Sequence, residues 1–361
     1  MVAGAAARGP YQAGALSVLL PALAAEGHRP VVLLGTSSGG ITAALVAQFA
    51  DLPPAATGAA VEQTWLDFGE VFRNPLHTPG PTVAMLARLA GAGFVPATDA
   101  LLDVTPLRGR AAALYRPRRV AANLASGAFE SLAVAATVCP PARSAARSRL
   151  FVQGRQPAAA PAVDVVPVEM GVEHLLASAA IPGMFPPVRI DDPTVGPGWY
   201  VDGGVRLNAP FRAALDLGVD RLVVLSGHSV DVPAVPPTAS DRPPDLATTA
   251  ALSVRAVLAD ALGDDLASLR RKNRRGGYRE VPHLVVAPRD GELAALAAAS
   301  FDPSGPLDPY WAIGRMLDAL GSGAGRDELL SLVLFDTGYA AALAAAGRRD
   351  AAATLAAGWS L

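Results

Sequence analysis

The sequence has very little of several residue types, and each shortage excludes a class of protein. Cys139 is the only cysteine in 361 residues, so no intramolecular disulfide and no thiolate zinc site can form. Pro140 and Pro141 follow it, and we interpret it as a packed or incidental thiol. Lysine occurs once, at Lys272, and nearly all positive charge is arginine, a composition typical of a GC-rich bacterial genome. With a net charge of −2 and no clustered basic face, a nucleic-acid partner is not expected.

Long apolar runs and metal-binding patterns are also missing. No run of 18 apolar residues occurs, so a membrane-spanning helix is not expected. The stretch from Arg8 to Ala25 is similar to a secretory signal peptide, but Gly9-Pro10 interrupts it, and we favour a helix there. His, Asp and Glu show no ligand spacing, so we expect neither a metal nor an organic cofactor. Asp191-Asp192 is interpreted as a solvated turn.

The chain is 51% hydrophobic and 17% charged, which is enough to bury a large core. Helical patterns alternate with short apolar runs along it. The first 50 residues predict a helix from Pro10 to Gly27, a buried strand at Val31–Leu34, a tight turn, and a helix from Ile41 to Phe49. This alternation predicts a three-layer α/β/α fold with a central, mainly parallel sheet. We expect one domain over residues 1–361, with a cap region at about 52–118 and a helical C-terminal part at about 308–361.

Further elements follow from the same periodicities. Strands are predicted at Arg119–Leu124, Arg149–Gln153, around Val163–Val168, Gly198–Val201, Arg221–Leu225 and Leu284–Val286, and helices at Met85–Leu89, Glu173–Ala180, Pro210–Leu217 and Ala250–Arg271. An aromatic-apolar cluster comprises Trp65, Phe68, Val71, Phe72 and Leu76. Core packing is the default interpretation of this cluster, and a cap over a lipid-binding groove is the alternative.

The strongest chemical signal is Gly35-Thr36-Ser37-Ser38-Gly39, which fits G-x-S-x-G between a predicted strand and a predicted helix. Such a turn lifts a serine hydroxyl out of the sheet at a helix N-terminus. An anion-binding turn is the alternative, but no Lys-Ser/Thr follows, so the P-loop pattern is absent. An α/β-hydrolase is disfavoured, because too little chain precedes Ser37 to supply the strands of that fold.

A serine nucleophile needs a base. None of the five histidines lies in a catalytic motif, although His283 begins a predicted strand and would complete a Ser-Asp-His order. Asp202-Gly203-Gly204 is the stronger candidate, since an acid at a strand end followed by glycines can approach another loop closely. Taken alone, that segment would be read as an Asx-type turn.

Together these segments resemble the patatin-like phospholipases. The glycine-rich loop ending in Arg-Gly, the G-x-S-x-G elbow and the Asp-Gly-Gly motif occur in the order of that family. The matching segments are Gly4-Ala5-Ala6-Ala7-Arg8-Gly9, Gly35–Gly39, Ala177–Pro187, Asp202-Gly203-Gly204, Asn208-Ala209-Pro210 and Leu334–Ala340. Several ordered motifs are much more specific than any one of them.

The resemblance implies an ester hydrolase in which Ser37 attacks a lipid ester and Asp202 accepts its proton directly. The N–H groups of the loop formed by Gly4, Ala5, Ala6, Arg8 and Gly9 would bind the oxyanion, and Arg8 would brace that loop or add charge to it. The implied partner is a lipid or fatty-acyl ester, with transient contact with a membrane surface and a cytoplasmic location. The oligomeric state is not determined by the sequence.

Two departures from the family pattern leave alternatives open. Ala5 and Ala6 stand where the family has glycines, and a positive φ at either would cost about 1 kcal/mol. Only Met1-Val2-Ala3 precede Gly4, where the family has a strand, so we expect the true start to lie upstream. These features favour a weak or inactive relative that binds lipid or a partner protein. A third reading keeps the chemistry but acts on soluble esters or thioesters.

Overall fold

The structure is a computed structural model of the 361-residue chain. It describes residues 1–68, 91, 100, 105–140, 145–158, 163–194, 196–230, 243–275, 279–305 and 308–361. The predicted helix at Met85–Leu89 and the cluster members Val71, Phe72 and Leu76 lie outside these residues, and so does about half of the segment proposed as a cap.

Strands and helices alternate through the described residues. The strands are β1 Val32–Thr36, β2 Ser131–Cys139, β3 Arg147–Gly154, β4 Val163–Pro167, β5 Val188–Asp192, β6 Gly196–Asp202, β7 Leu222–Leu225 and β8 His283–Val286. The helices are α1 Gly9–Ala25, α2 Ser38–Gln48, α3 Pro54–Phe68, α4 Thr105–Leu114, α5 Pro117–Ala125, α6 Val172–Ser178, α7 Phe211–Asp216, α8 Leu246–Arg255, α9 Ala261–Arg274, α10 Glu292–Ser300, α11 Pro309–Leu320, α12 Ala324–Val333 and α13 Thr337–Ala357. A π-helical turn, Ala256–Asp260, joins α8 to α9.

The centre of the sheet is parallel. Strands β8 and β7 pair in parallel, as do β1 and β2, and Val2 bridges β7 and β1 with parallel contacts to both. Beyond β2 the strands reverse, since β3 is antiparallel to β2 and β4 runs with β3. Strand β6 pairs antiparallel with the last part of β2 and carries β5 on its other side. Parallel strands therefore end together at the edge where Ser37 follows β1.

Helices cover both faces of the sheet. Adjacent residues of a strand point to opposite faces, and they divide accordingly between two hydrophobic cores. Leu33, Leu132 and Phe151 pack with α1, α2 and α13 on one face, whereas Leu34 and Ala133 pack with α7 and α9 on the other. The prediction of a three-layer α/β/α fold is thereby confirmed. That the whole chain forms one domain stays a prediction.

One predicted strand is a helix, and two strands, β2 and β5, were missed. Residues 119–124 belong to α5, which has Pro117 in its first turn. The helix buries Val120 and Asn123, which lie three residues apart on one face. Strand β2 contacts β1, β3 and β6 and is almost completely buried. Its sequence, Ser-Leu-Ala-Val-Ala-Ala-Thr-Val-Cys, is rich in alanine, a residue depleted in strands. Burial between two helical layers overrides that propensity.

The interpretation of Asp191-Asp192 as a solvated turn was also wrong. Both residues end β5, and Asp192 is 7% exposed and accepts a hydrogen bond from the Thr194 amide at 2.7 Å. The helix predicted over residues 250–271 is α8 and α9 with the π-helical turn between them. Strand β5 and helix α10 had no sequence-based prediction.

Trp65 and Phe68 are core residues, as the default interpretation has it. Their side chains are 3% and 5% exposed and their rings lie 5.7 Å apart. The Trp65 indole donates to Thr42 Oγ1 at 3.0 Å, which fixes α3 against α2. The segment once compared with a signal peptide is α1, a helix buried against α3 and α13.

None of the helices in the described part of the chain is by itself long and apolar enough to cross a membrane. Helices α12 and α13 meet that requirement only when taken together, with a bend of 99° between them.

The residues before Gly4 are part of the sheet. Val2 donates to Leu34 O at 2.8 Å and accepts from the Thr36 amide at 3.2 Å, and Ala3 donates to Leu225 O at 2.9 Å. The first residues therefore anchor the Gly4–Gly9 loop, although they are few. On the far side of Met1, a cavity of about 540 Å³ separates the facing edges of β1 and β7.

Candidate active site

The turn that carries Ser37 joins β1 directly to α2. Ser37 has φ 56° and ψ −133°, a conformation that L-residues rarely adopt and that costs about 1–3 kcal/mol. Gly39 lies so close to the N-terminal segment of the chain that a Cβ atom there would be 2.3 Å from Val2 O. Only glycine fits at this position, and the backbone strain brings the Ser37 side chain to the end of the parallel strands.

A second serine holds the elbow in place. The Ser37 amide donates to Ser178 Oγ at 2.8 Å, and the Ser178 hydroxyl donates to Ala135 O on β2 at 2.6 Å. Ser178 ends α6, so this helix is tied both to the elbow and to the central strand. The sequence predicted no role for Ser178, since only its place in the family-like segment Ala177–Pro187 drew attention to it.

Asp202 reaches the elbow from the end of β6. Its Oδ2 lies 2.5 Å from Ser37 Oγ, and its Oδ1 accepts from the Gly204 amide at 2.6 Å. Its own amide donates to Ala180 O at 2.8 Å. Gly203 passes so close to β2 that a Cβ atom would lie 2.3 Å from Ala135 O. The Asp-Gly-Gly segment is therefore an Asx-type turn, as one interpretation held, whose carboxylate also contacts Ser37.

Burial dominates the electrostatics of this pair. The Asp202 side chain is 4% exposed, and desolvation raises its pKa to about 7, against the lowering effects of the hydrogen bonds from Ser37 and Gly204. The carboxylate thus titrates near neutrality, where it can accept a proton and return it.

His283 does not belong to this arrangement. It begins β8 and pairs with the first residue of β7, at the edge of the sheet opposite to the one where β1 ends at Thr36. Its backbone exchanges hydrogen bonds with Ser360. The Ser-Asp-His alternative is therefore wrong.

The glycine-rich loop faces the elbow, but three of its amides have other partners, one of which is the Arg8 amide, which donates to Ala5 O at 2.9 Å. The Gly4 amide donates to Asn208 O at 3.1 Å, and the Ala5 amide donates to Ser38 Oγ at 3.1 Å. The loop then forms a short 3₁₀ turn, Ala6–Arg8, and α1 begins at Gly9. Including the amides of Gly4, Ala5 and Arg8 among the oxyanion donors was therefore wrong in this conformation.

The two alanines differ in backbone conformation. Ala6 has φ 50°, the left-handed region, whereas Ala5 has φ −143°, which any residue adopts. The strain expected from replacing glycine in this loop is therefore present at Ala6 alone.

Arg8 braces the loop from behind. Its side chain is 3% exposed and pairs with Glu328 at 2.7 Å. Its guanidinium also donates to Ser331 Oγ at 2.5 Å and to Gly227 O at 3.0 Å. These contacts tie the loop to α12 and to the segment after β7. Of the two roles considered for Arg8, the geometry supports the bracing role.

Asn208 holds the other end of the loop. In addition to its backbone contact with Gly4, its Nδ2 donates to Gly4 O at 3.4 Å and to Leu258 O. Gly4 is thus fixed at both its N–H and its C=O. Asn208 appeared in the sequence only as part of the family-like Asn-Ala-Pro segment, which gave no reason for a positioning role.

An apolar pocket of about 50 Å³ opens one helical turn from Ser37. Its lining includes Ile41 and Leu45 of α2, Phe68, Tyr115, Leu176 and Phe185. Ala180, whose carbonyl accepts from the Asp202 amide, also lines it. An apolar surface therefore starts beside the Ser37–Asp202 pair.

Comparison with protein families identifies the class of this chain. The model of the patatin-like phospholipase family matches residues 1–215, a span that includes both Ser37 and Asp202. The chain belongs to the patatin-like phospholipase family, and membership supports hydrolase activity on lipids. No curated protein matches the chain.

Proposed function

We propose that this protein is a serine lipid acyl hydrolase, of the phospholipase or lysophospholipase type, that uses Ser37 as nucleophile and Asp202 as base. The observation that carries the proposal is the 2.5 Å contact between Ser37 Oγ and Asp202 Oδ2 at a strained strand-to-helix turn. The apolar pocket beginning at Ile41 supports an acyl chain as the group bound next to them.

In this mechanism Ser37 Oγ attacks the ester carbonyl while its proton passes to Asp202 Oδ2. Asp202 then returns the proton to the leaving alcohol, and an acyl-enzyme remains on Ser37. Water, deprotonated by the same carboxylate, hydrolyses the acyl-enzyme and regenerates the hydroxyl. With a pKa of about 7, Asp202 is ionised in part of the population at neutrality, so kcat/KM should rise with pH to a plateau above about pH 8.

The tetrahedral oxyanion would be bound by the amides of Ala6 and Ala7 in the 3₁₀ turn, because those of Gly4, Ala5 and Arg8 have other partners. One such donor contributes about 3 kcal/mol to lowering the barrier. A cytoplasmic location with transient contact with a membrane surface fits the same proposal.

One observation favours a second candidate, a catalytically weak relative that binds lipid or a protein partner. Ala6 holds a positive φ at the turn that would bind the oxyanion, and this strain can misplace a donor. A third candidate keeps the Ser37–Asp202 chemistry and acts on soluble esters or thioesters.

Hydrolysis of p-nitrophenyl esters with short and long acyl chains, and of a lysophospholipid, tests the proposal. Ser37→Ala and Asp202→Asn should each lose activity by at least about 1,000-fold while their circular dichroism stays that of the wild type. Ser17→Ala, a part-buried serine on α1, is the matched control and should keep full activity. Labelling of Ser37 by a fluorophosphonate, located by mass spectrometry, reports the nucleophile independently of substrate.

The outcomes separate the candidates. Activity only on short soluble esters would favour the third reading. No hydrolysis and no labelling in the wild type would contradict a hydrolase and favour the binding protein.

A further inference from the structure

A small polar cavity lies behind the Gly4–Gly9 loop, on the side where the Arg8 side chain leaves it. It measures about 20 Å³, and its lining combines charged side chains with the residues that precede α10. The lining residues used below are Arg8, His228, Arg255, Arg289, Asp290 and Glu328. None of them takes part in the proposed reaction.

His228 presents an unpartnered donor to this cavity. Its side chain is 4% exposed, and its Nδ1 lies 3.0 Å from Arg8 Nη1. Because a guanidinium can only donate, Nδ1 is the acceptor and the ring proton is on Nε2. Burial, together with the charges of Arg8 and Arg255, holds the pKa of His228 well below its usual value, so the ring is neutral. Within the described residues, Nε2–H has no hydrogen-bond partner.

Arg255 presents a second unpartnered hydrogen-bond donor to the cavity. Its Nη1 pairs with Asp290 at 2.6 Å, but its buried Nη2 has no hydrogen-bond partner among the described residues. A buried donor without a partner costs about 1–3 kcal/mol. Two such donors at one cavity indicate a bound acceptor there.

The charges around the cavity favour an anion over water. Arg8 pairs with Glu328 and Arg255 with Asp290, which leaves the exposed Arg289 as the excess positive charge at the cavity. The N-terminus of α10 opens at the same place, with Gly291 at its N-cap and no side-chain cap. A helix N-terminus adds positive potential, although the Glu292 amide here donates to Arg289 O at 3.2 Å and the Glu292 carboxylate belongs to the first turn.

The size of the cavity limits the anion. A cavity of about 10–15 Å³ holds one water molecule, so about 20 Å³ admits one water or one monatomic anion. We propose that the cavity is a binding site for a small inorganic anion of the size of chloride, which accepts hydrogen bonds from His228 Nε2 and Arg255 Nη2.

An anion here would act on the loop through Arg8. The anion would link Arg255 at the end of α8 to His228 after β7, and His228 contacts the Arg8 guanidinium. Anion binding should therefore stabilise the 3₁₀ turn that Arg8 braces. Binding itself does not depend on the proposed hydrolase activity, and it is tested by a measurement that needs no substrate.

The test is thermal unfolding at constant ionic strength, in sodium gluconate with increasing replacement by sodium chloride. A ligand that binds only the folded state raises Tm in a saturable manner. We expect a saturable rise for the wild type, and the same rise for Arg212→Gln, whose arginine is 74% exposed on α7 and pairs with Asp216. Arg255→Gln, which removes one donor at a part-exposed position, should lose the rise.

A second measurement locates the ion. Crystals grown in sodium bromide should show an anomalous peak between His228 and Arg255. Equal Tm values in chloride and gluconate would overturn the proposal and leave the cavity to water. A response that persists in Arg255→Gln, or a stronger response to phosphate than to chloride, would also overturn it.

Discussion

Two turns meet at the edge of the sheet, and each contains one non-glycine residue with positive φ. In the elbow it is Ser37, at 56°, and in the glycine-rich loop it is Ala6, at 50°. Ser37 is held by Asp202 at its hydroxyl and by Ser178 at its amide. Ala6 offers only a methyl group, and the contacts that fix its loop come from Gly4, Ala5 and Arg8.

The difference shows that a positive φ at a non-glycine residue serves a function in one turn and not in the other. At Ser37 the strain places a hydroxyl against a buried carboxylate, so removing it by substitution also removes the proposed nucleophile. At Ala6 the strain follows from an alanine at a position where glycine would adopt the same φ without penalty. Substitutions in the elbow should therefore destabilise the protein. In the glycine-rich loop, replacing Ala6 by glycine should stabilise it.

The largest expected effect is on the free energy of unfolding and comes from the Asp202 carboxylate, which contacts Ser37. The pKa of Asp202 is about 7 in the folded protein, above its ordinary value of 3.8, so folding favours the protonated form. Its contribution to stability is fully present below pH 3.8 and is lost as the pH rises through about 7. Asp202→Asn should therefore be inactive yet more stable than the wild type at pH 8, by on the order of 4 kcal/mol.

Urea unfolding of both proteins at pH 4, 6 and 8 measures this gain, which should shrink toward zero at the acid end. Asp191→Asn, whose carboxylate is mostly exposed at the end of β5, is the control and should show no such pH dependence. An Asp202→Asn variant that is less stable at every pH would contradict the raised pKa.

The next effect tests the intolerance of the elbow. Gly39→Ala places a Cβ atom 2.3 Å from Val2 O and 2.5 Å from Ala3 O, where the backbone of this segment is held by hydrogen bonds to β1 and β7 and cannot yield. We expect a loss of about 3 kcal/mol or more of unfolding free energy, together with loss of activity. Gly263→Ala in α9, where a new Cβ meets no atom within 4 Å, should instead be neutral or stabilising. Equal Tm values for both variants would refute the close approach.

A smaller effect is expected at the fixed end of the loop. Asn208→Ala removes the side-chain contacts to Gly4 O and Leu258 O and should cost about 2 kcal/mol of stability. If Asn208 positions the loop, kcat should fall more than KM changes, and Asn208→Ser should not restore it because its side chain is too short to reach both carbonyls. A loss of stability with unchanged kcat would assign Asn208 a purely structural role.

The smallest effect is the gain at Ala6. Ala6→Gly should raise the unfolding free energy by about 1 kcal/mol, because glycine adopts φ 50° without steric penalty. If the strain also misplaces an oxyanion donor, kcat rises in the same variant. Ala5→Gly is the matched control, since Ala5 has φ −143° and should lose rather than gain stability. A destabilised Ala6→Gly would remove the distinction between the two turns.

Sequence patterns predicted the elements best where their signals were strong. The strand–turn–helix around Ser37, helix α1 and the short strands near residues 222 and 284 were all predicted close to their observed positions. Strand β2 was missed because its alanines favour a helix, and only burial between two helical layers makes the segment a strand. Helix α5 was assigned as a strand although its alanines favour a helix.

What the sequence by itself determined is the chemistry that meets at the elbow: a serine in a glycine-bounded turn, an aspartate before two glycines, and the order of these motifs along the chain. Only the tertiary structure decided which of the other residues contact them. Ser178 and Asn208 are brought to the site from distant segments, where Ser178 accepts from the Ser37 amide and Asn208 from the Gly4 amide, while the Ala5 amide donates to Ser38. The physical reason is that a short sequence motif fixes local backbone geometry, whereas hydrogen-bond partners and pKa values depend on burial, which the packing of the whole sheet sets.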